Sequence, residues 1–594
     1  LQSYTALCII GVANDREVVA ITPVFLAAGY SVEVKAMRRE LLAPIAMLLL
    51  AAGIAHAGMM TNVNQSAAFV RMPARNATLG IDGVYYNPAG LTRLIDGWYF
   101  SFNNQFVLSD RRVENDYSYL NDAPSSAFPA DANTGLFPGF FAVYKTNKTA
   151  FSFGFNPIGG VGGTDYSRGL PLFEMIISDL IPALQMSYGV TGYSAEIDFK
   201  ETSACFGYQL GVSHEINPTL SLFGGGRLVT VKKTYSGGIS NILINPTTGY
   251  DGSYRRADVF AAQNAASFTS KSQSYSSAAA SVQSLITAGA GNYTIAQVQT
   301  AGFITSAQRA QYENALADLG LSSAQIAALR MNQVHTYYED AATHYATNAS
   351  LMTGIQWLTS DRELKVTQTG AGFAPILGLN LNLGRNWTVA VKYEFATRLE
   401  LENDTQVDQF GSYPDGATVR RDLPAMLSLG TSYAYNSRLG FSSGLNYYFD
   451  RSADYGLVDA VGKAVDNSDI IDANYLELAA GVEYGLNDRL LLSAGYMFGK
   501  SGVSEEYQSL VTLSLDSHTL GFGGQYLITP NVALNMGCSF ILYSGDGKEY
   551  SHYQAVPAVL PFGTDSDTPP PAWVSDTYSR SDLIFAVGVD YIIR

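Results

Sequence analysis

Several stretches carry residue types that could do chemistry, and each falls short on spacing. His335 and His344 bracket Glu339 and Asp340, but a spacing of nine is not the i, i+4 pair of a helical metal site. The run DNSDIID (466–472) offers carboxylates for calcium yet lacks the glycine and terminal glutamate of a calcium loop. AGYMFGKSG (494–502) ends like a phosphate-binding loop, but Ala494 stands at the first required glycine and the stretch alternates like a strand. GGVGG (159–163) lacks the following helix and acidic partner of a dinucleotide fingerprint. No Ser/His/Asp set surrounds a recognisable nucleophile turn. The expectation is a protein without cofactor, metal or catalytic residues, and not an enzyme.

What stands out instead is physical. FSFGFNPIGGVGG (151–163) begins as a strand, with Phe151, Phe153 and Phe155 alternating with small or polar residues. Pro157 then removes a backbone donor, and Gly159, Gly160, Gly162 and Gly163 remove stiffening side chains. The following LPLFEMIISDLIPALQM (170–186) puts Leu172, Phe173, Ile176, Ile177, Leu180 and Leu184 at helical spacing, a candidate apolar capture loop. The competing expectation is that this face packs against other loops.

The elements that must position these residues follow from composition. Of 594 residues 47% are hydrophobic and only 15% charged, against about 25% charged in ordinary soluble domains. After residue 57 no apolar run approaches the roughly 20 residues of a membrane helix. A transmembrane β-barrel reconciles these facts, because its apolar residues are spread through alternating strands. The net charge of −16 argues against nucleic acid as a partner. Met37-Arg38-Arg39, the apolar 41–52 and Ala55-His56-Ala57 read as a signal peptide over 37–57, with 1–36 a mis-called upstream segment. Beyond it lie Cys205 and Cys538, which alternation puts on opposite faces and therefore leaves as free thiols.

From residue 97 the chain repeats ten alternating residues, a tight turn, ten more and a longer loop. Trp387, Val389, Val391, Tyr393 and Phe395 alternate with small or polar residues, and Leu583, Phe585, Val587, Val589, Tyr591 and Ile593 take every second position of the last strand. Alternation alone does not say whether the apolar face meets a core or lipid. The signal peptide, the aromatic strand ends and the asymmetry of the connections favour lipid. Six short turns, near 146, 217, 384, 436, 486 and 529, separate seven longer loops, near 110–136, 164–201, 239–362, 401–418, 451–473, 501–508 and 544–577. The expected fold class is therefore all-β: a 14-stranded antiparallel transmembrane β-barrel over 97–594 with partly helical extracellular loops. Within it, 239–362 is an Ala/Ser-rich, partly helical insertion, where Gly320 could end one helix and Ser322 or Ser323 cap the next. Lys392, Glu394, Glu477 and Glu483 fall on the lumen face.

The stretch NQSAAFVRMPARNATLGIDGVYYNPAGLTRL (64–94), with Asn87-Pro88-Ala89 following Asp82, resembles the start of the FadL/TodX (OMPP1) family of outer-membrane long-chain fatty-acid and hydrocarbon transporters. The resemblance continues in PGFFAVYKTNKTAFSFGFNPIGG (138–160). It implies that residues 58–96 form a hatch (plug) inside the barrel. It further implies that hydrophobic small molecules pass from capture loop to lumen pocket and leave sideways into outer-membrane lipid at a kinked third strand. Location in the bacterial outer membrane and a monomeric state complete that expectation. The alternatives are a general diffusion porin for polar solutes, or a surface adhesin or enzyme carried by 239–362.

Overall fold

The structure, a computed structural model, describes residues 64–456, 464–504, 514–551 and 573–594. The expected signal peptide and upstream segment lie outside the described residues. Among the described residues nineteen strand segments form one sheet. Five of them (126–131, 255–256, 400–408, 418–420 and 546–551) are extensions or loop pairings, and the other fourteen close into a ring. In chain order the wall is β1 Gly97–Asn115, β2 Gly139–Thr146, β3 Thr149–Tyr166, β4 Tyr193–Glu215, β5 Leu220–Ile244, β6 Arg362–Leu383 and β7 Trp387–Glu394. It continues with β8 Met426–Ala434, β9 Leu439–Tyr448, β10 Leu476–Gly485, β11 Leu490–Lys500, β12 Ser517–Thr529, β13 Val532–Tyr543 and β14 Trp573–Ile593. β14 returns to pair with β1 from Trp98 opposite Ile593 to Asn115 opposite Asp576, so the sheet has no free edge.

Burial resolves the ambiguity that alternation leaves. Phe102, Phe106, Phe373, Leu377, Phe522 and Phe585 are exposed on the outer face, while Ser101, Asn103, Gln105, Gln209 and Asn380 are buried inside. An apolar exterior around a polar interior is the arrangement of a membrane barrel. No helix among the described residues is long and apolar enough to cross a membrane. Cys205 is buried and faces inward, Cys538 sits on the outward alternation of β13, and both are free.

The short turns gather at the rim that carries both ends of the wall. Asn217, Asn436 and Asn487 each accept backbone N–H bonds from residues two and three positions on, which closes the turn locally. At the other rim the strands run further than the alternation suggests: β5 spans 25 residues, where about 9–11 cross a bilayer. The expected loops 110–136 and 164–201 are partly strand, because backbone ladders persist where both faces are polar and hydropathy no longer alternates.

Inside the barrel, α1 Ala67–Arg71, α2 Gly83–Tyr86 and a 3-10 turn at Pro88–Arg93 form the hatch. Above β3 stand α3 Pro171–Ser178 and α4 Leu180–Tyr188. The insertion is an antiparallel pair of long helices, α5 Ala257–Leu285 and α9 Met331–Leu358, with α6 Ile295–Thr300, α7 Ser306–Ala317 and α8 Ser323–Ala328 at its far end. Ser272 bonds to the Ala342 carbonyl and Tyr275 stacks on Tyr345, which fixes the register of the pair. Thr294, Thr305 and Ser322 cap the three short helices in capping boxes with Gln297, Gln308 and Gln325. Ser322 is thus the cap, and Gly320 lies in a left-handed turn just before it.

Candidate functional site

The hatch is held by polar bonds to the wall on many sides. Asn87 has three partners: its amide oxygen accepts from Gly90 N (3.2 Å), and its nitrogen donates to Thr78 O (3.0 Å) and to Asn380 on β6 (2.9 Å). Pro88 begins the 3-10 turn, where its missing N–H is harmless, and its carbonyl accepts from Ser213 at 2.6 Å. Ala89 is fully buried against Phe223 and Ile376. These contacts give the Asn-Pro-Ala stretch a physical role in seating the hatch. Arg75 grips Asp82 with two bonds of 2.9 Å. Burial acts to raise the Asp82 carboxyl, but the Arg75 guanidinium outweighs it and holds the carboxyl below its ordinary value. Arg71 reaches Ser493 (2.6 Å) and Glu483 (3.1 Å), and Asn76 reaches Ser428 and Asn446. Of the expected lumen charges, Glu483 serves the hatch, Lys392 bonds to the Tyr85 carbonyl, Glu394 pairs with Arg227, and Glu477 accepts from Asn446 and Tyr448.

β3 is the third strand of the ring, and Pro157 to Gly163 lie within it. The strand does not end there; what changes is its partners. On one side the β2 ladder stops at Phe155 opposite Phe140, and pairing resumes only at Asp165 opposite Asp131. On the other side β4 stays paired through a bulge between Pro157 and Val161. Gly162 has φ +128°, a conformation that L side chains rarely adopt, and a Cβ there would overlap Thr134. The hatch touches this stretch through Gln65, whose amide donates to the Pro157 carbonyl at 2.8 Å. Asn156 Nδ2 is buried beside it with no hydrogen-bond partner.

A cavity of about 320 Å³ lies inside the barrel against this break. Phe69 and Val70 of the hatch line it, as do Gly159, Gly160, Gly162 and Gly163 of β3, and Thr134 and Phe137 across the missing ladder. The cavity therefore reaches from the hatch to the interruption of the β2 ladder. Toward the far rim lies a second packed layer. There Tyr166, Phe199, Tyr235 and Tyr578 from the wall meet Tyr117, Phe128, Phe173, Phe410 and Tyr413 from the loops, all buried.

The expected capture loop belongs partly to that layer. Its single helical face is two helices, α3 and α4, meeting at Asp179. Phe173, Ile176, Ile177, Leu180 and Leu184 are buried, and Leu172 is half-buried. Ile177, Leu180 and Leu184 pack with Phe260 and Ile355 at the base of the insertion helices. An open apolar landing face is therefore not what the structure presents; the insertion supplies enough apolar surface to cover it, so packing prevails. His335 faces Glu339 one turn on at 3.3 Å and His344 lies beside Asn348, so the two histidines do not converge.

Residues the sequence reading does not single out include Gln65, Thr134, Arg111, Lys233 and Arg580, which join the site only through tertiary placement. For the last three a signal exists: they are cations on the inward alternation of strands in a charge-poor chain.

Fold and lumen together define a plugged β-barrel of the outer membrane with a gap in its wall ladder. Residues 260–566 match the model of the outer membrane protein transport protein family (OMPP1/FadL/TodX). The chain belongs to that family and is an outer-membrane transport protein. The match covers most of the insertion and leaves out the Asn87-Pro88-Ala89 region. A search of curated proteins finds no match. Among solved structures, a Pseudomonas aeruginosa FadL homologue superposes with a TM-score of 0.51 at 12% identity, covering 90% of this chain and 99% of that one. The P. putida toluene transporter TodX gives 0.42 at 14%, covering 87% and 94%. The Ralstonia pickettii toluene transporter TbuX gives 0.43 at 13%, covering 89% and 99%. The first likeness bears on the fold alone, and the lower two carry no argument.

Proposed function

We propose that the barrel moves hydrophobic molecules inward by passive diffusion, through the lumen cavity and out sideways at the kink of β3. The observation that carries this reading is the cavity, which is bounded by the hatch below and by Gly159, Gly160, Gly162 and Gly163 where the β2 ladder stops. An apolar molecule gains about 0.8 kcal/mol per buried CH₂, so a lateral exit into lipid keeps it in favourable surroundings throughout. Unpaired strand groups in lipid cost several kcal/mol each, and Pro157, lacking an N–H, has one group fewer to leave unpaired. The same reading assigns Asn87, Pro88 and Ala89 to seating the hatch, and treats the molecule as a monomer that performs no bond chemistry. Capture at α3 and α4 would require the insertion to lift from their apolar face.

The test is a staple across the open seam. A Cβ built on Gly162 lies 3.3 Å from Thr134 Cβ, close to the roughly 3.5–4.5 Å of a disulfide. Oxidised Gly162→Cys/Thr134→Cys should stop uptake of a radiolabelled hydrophobic solute into cells, and reductant should restore it. Full uptake by the oxidised protein would refute lateral exit. The porin alternative predicts swelling of protein-bearing liposomes in small sugars; the hatch bonds argue for none. If 239–362 instead carries an adhesin or enzyme, its deletion should leave uptake intact.

A further inference from the structure

We infer that one arc of the short-turn rim is a docking surface for anionic phospholipid head groups, built by Arg385, Arg438 and Arg489. The inference goes beyond the transport reading and does not depend on it. The three arginines stand in the turns β6–β7, β8–β9 and β10–β11, one per turn and side by side along the rim. Two of these turns repeat one pattern, an apolar residue, asparagine, a variable residue and arginine: YNSR (435–438) and LNDR (486–489). The third, LGRNW (383–387), sets Arg385 between Leu383 and Trp387. Asp488 is the one acid in the three stretches, so the arc carries three cations against one anion in a chain of net charge −16.

The backbone of this arc is fixed while its guanidiniums are free. The N–H groups of Arg438 and Leu439 donate to Asn436 Oδ1 at 2.8 Å, and those of Arg489 and Leu490 donate to Asn487 Oδ1 at 2.9 Å. Neighbouring turns are then tied sideways. Ala434 N–H donates to the Asn386 carbonyl (2.9 Å), Gly485 N–H to that of Arg438 (2.7 Å), and Leu527 N–H to that of Arg489 (2.8 Å). The three arginine side chains are exposed and make no ion pair or hydrogen bond among the described residues. Elsewhere on this rim Arg93 pairs with Glu215 and Lys145 with Asp96, while Lys148 stands singly on the β2–β3 turn.

What lies beside the arginines selects the occupant. Leu383, Trp387, Tyr435, Tyr484 and Leu486 are exposed, and Trp387 rests on Tyr433 with ring centroids 4.6 Å apart. Exposed Trp and Tyr at the rim of a membrane barrel mark head-group depth. An arginine at that depth lays its stem on apolar surface and puts its charge among phosphates. An acidic protein would call for the cations but not for the aromatic residues beside them. A zwitterionic head brings its own cation to each phosphate, whereas an anionic head leaves a charge for the arc to neutralise. In a ring of fourteen strands β6–β11 lies across from β3, so the docked lipids sit away from the interrupted ladder.

The test titrates the full mature protein in a neutral detergent with phosphatidylglycerol or with phosphatidylcholine of the same chains, and counts bound lipid by native mass spectrometry. The wild type should prefer phosphatidylglycerol, and raised sodium chloride should weaken that preference. Each single Arg→Gln change should lower phosphatidylglycerol affinity about fivefold, the effect of one cation near an anionic surface, and leave phosphatidylcholine unchanged. Arg385→Gln/Arg438→Gln/Arg489→Gln should abolish the preference, and the matching triple change to lysine should keep most of it. Should the triple glutamine variant lack the heat-dependent gel shift of a folded barrel, Arg438→Gln/Arg489→Gln carries the same test. Equal wild-type affinity for the two lipids, as an acidic protein partner would predict, overturns the proposal. So does a preference that survives removal of the arginines. Lys148→Gln should change nothing; a loss as large as that of Arg438→Gln would make the effect one of overall charge and overturn the arc. None of these outcomes bears on uptake, so the transport reading stands or falls separately.

Discussion

Two places in the wall combine proline with glycine, and they behave oppositely. In β3, Pro157 and the glycines after it leave the β2 side without a ladder over 156–164 and face a cavity. In β6, Pro375 follows Gly370 and Gly372, and the ladder to β7 is also interrupted there. Yet that second interruption is sealed. β6 keeps unbroken register with β5, from Leu220 opposite Leu381 to Ile239 opposite Arg362. The chain leaving β7 bonds to the Pro375 carbonyl through Phe395 and then pairs with 421–423. Gly370 and Gly372 let the carbonyls of Glu400 and Arg398 approach so closely that a Cβ at either glycine would overlap them. The same residue types thus leave the ladder interrupted where only the Thr134 side chain approaches, and seal it where a neighbouring backbone does.

The hatch touches both places, through Gln65 at Pro157 and Ala89 against Ile376 beside Pro375, so loosening it is the most drastic way to break the contrast. Asp82→Ala takes the two-bond partner from Arg75 and leaves it only Glu483 at 3.4 Å and Thr78 at 2.6 Å; it should cost about 2–4 kcal/mol, read as a lower unfolding temperature and as new conductance to small ions. The same contact gives a pH dependence. The Asp82 carboxyl is held below its ordinary value, so its stabilisation is complete above about pH 4 and is lost as pH falls through the depressed value. The hatch should stay seated at neutral pH, and ion conductance should rise only in strong acid.

Gly370→Val should be the next largest change, destabilising by about 1–3 kcal/mol because the Glu400 carbonyl must move; uptake per folded molecule should not change. Gly162→Ala should cost about 1–2 kcal/mol for its left-handed backbone and, unlike the first, should also reduce uptake by pressing on Thr134. Equal effects of the two on uptake would erase the distinction. The smallest effect is expected from Pro375→Ala, within about 0.5 kcal/mol, since the β5 and Phe395 contacts remain. Pro157→Ala should be similarly mild in stability but detectable in uptake assays.

Much of the architecture was legible because a barrel strand repeats with period two. Trp387 to Phe395 and Leu583 to Ile593 declare their outward faces without knowledge of their neighbours, and asparagine turns such as that at Asn217 announce each reversal. The Asn87-Pro88-Ala89 stretch was legible as a motif, and its role as an anchor emerged from Ser213, Asn380 and Phe223, each more than 100 residues away. The apolar face of α3 and α4 was legible as apolar, but its cover was not, since Phe260 and Ile355 arrive from a distant insertion.

By itself, then, the sequence determined the strands, their outward faces, the turns and the helical character of the insertion, all of which depend on interactions between near neighbours in the chain. Only the tertiary structure decided which interruption of the wall ladder is sealed and which apolar face is covered. Those outcomes depend on what the closed barrel brings opposite each residue: Thr134 against Gly162, the Glu400 carbonyl against Gly370, and Phe260 and Ile355 against α3 and α4.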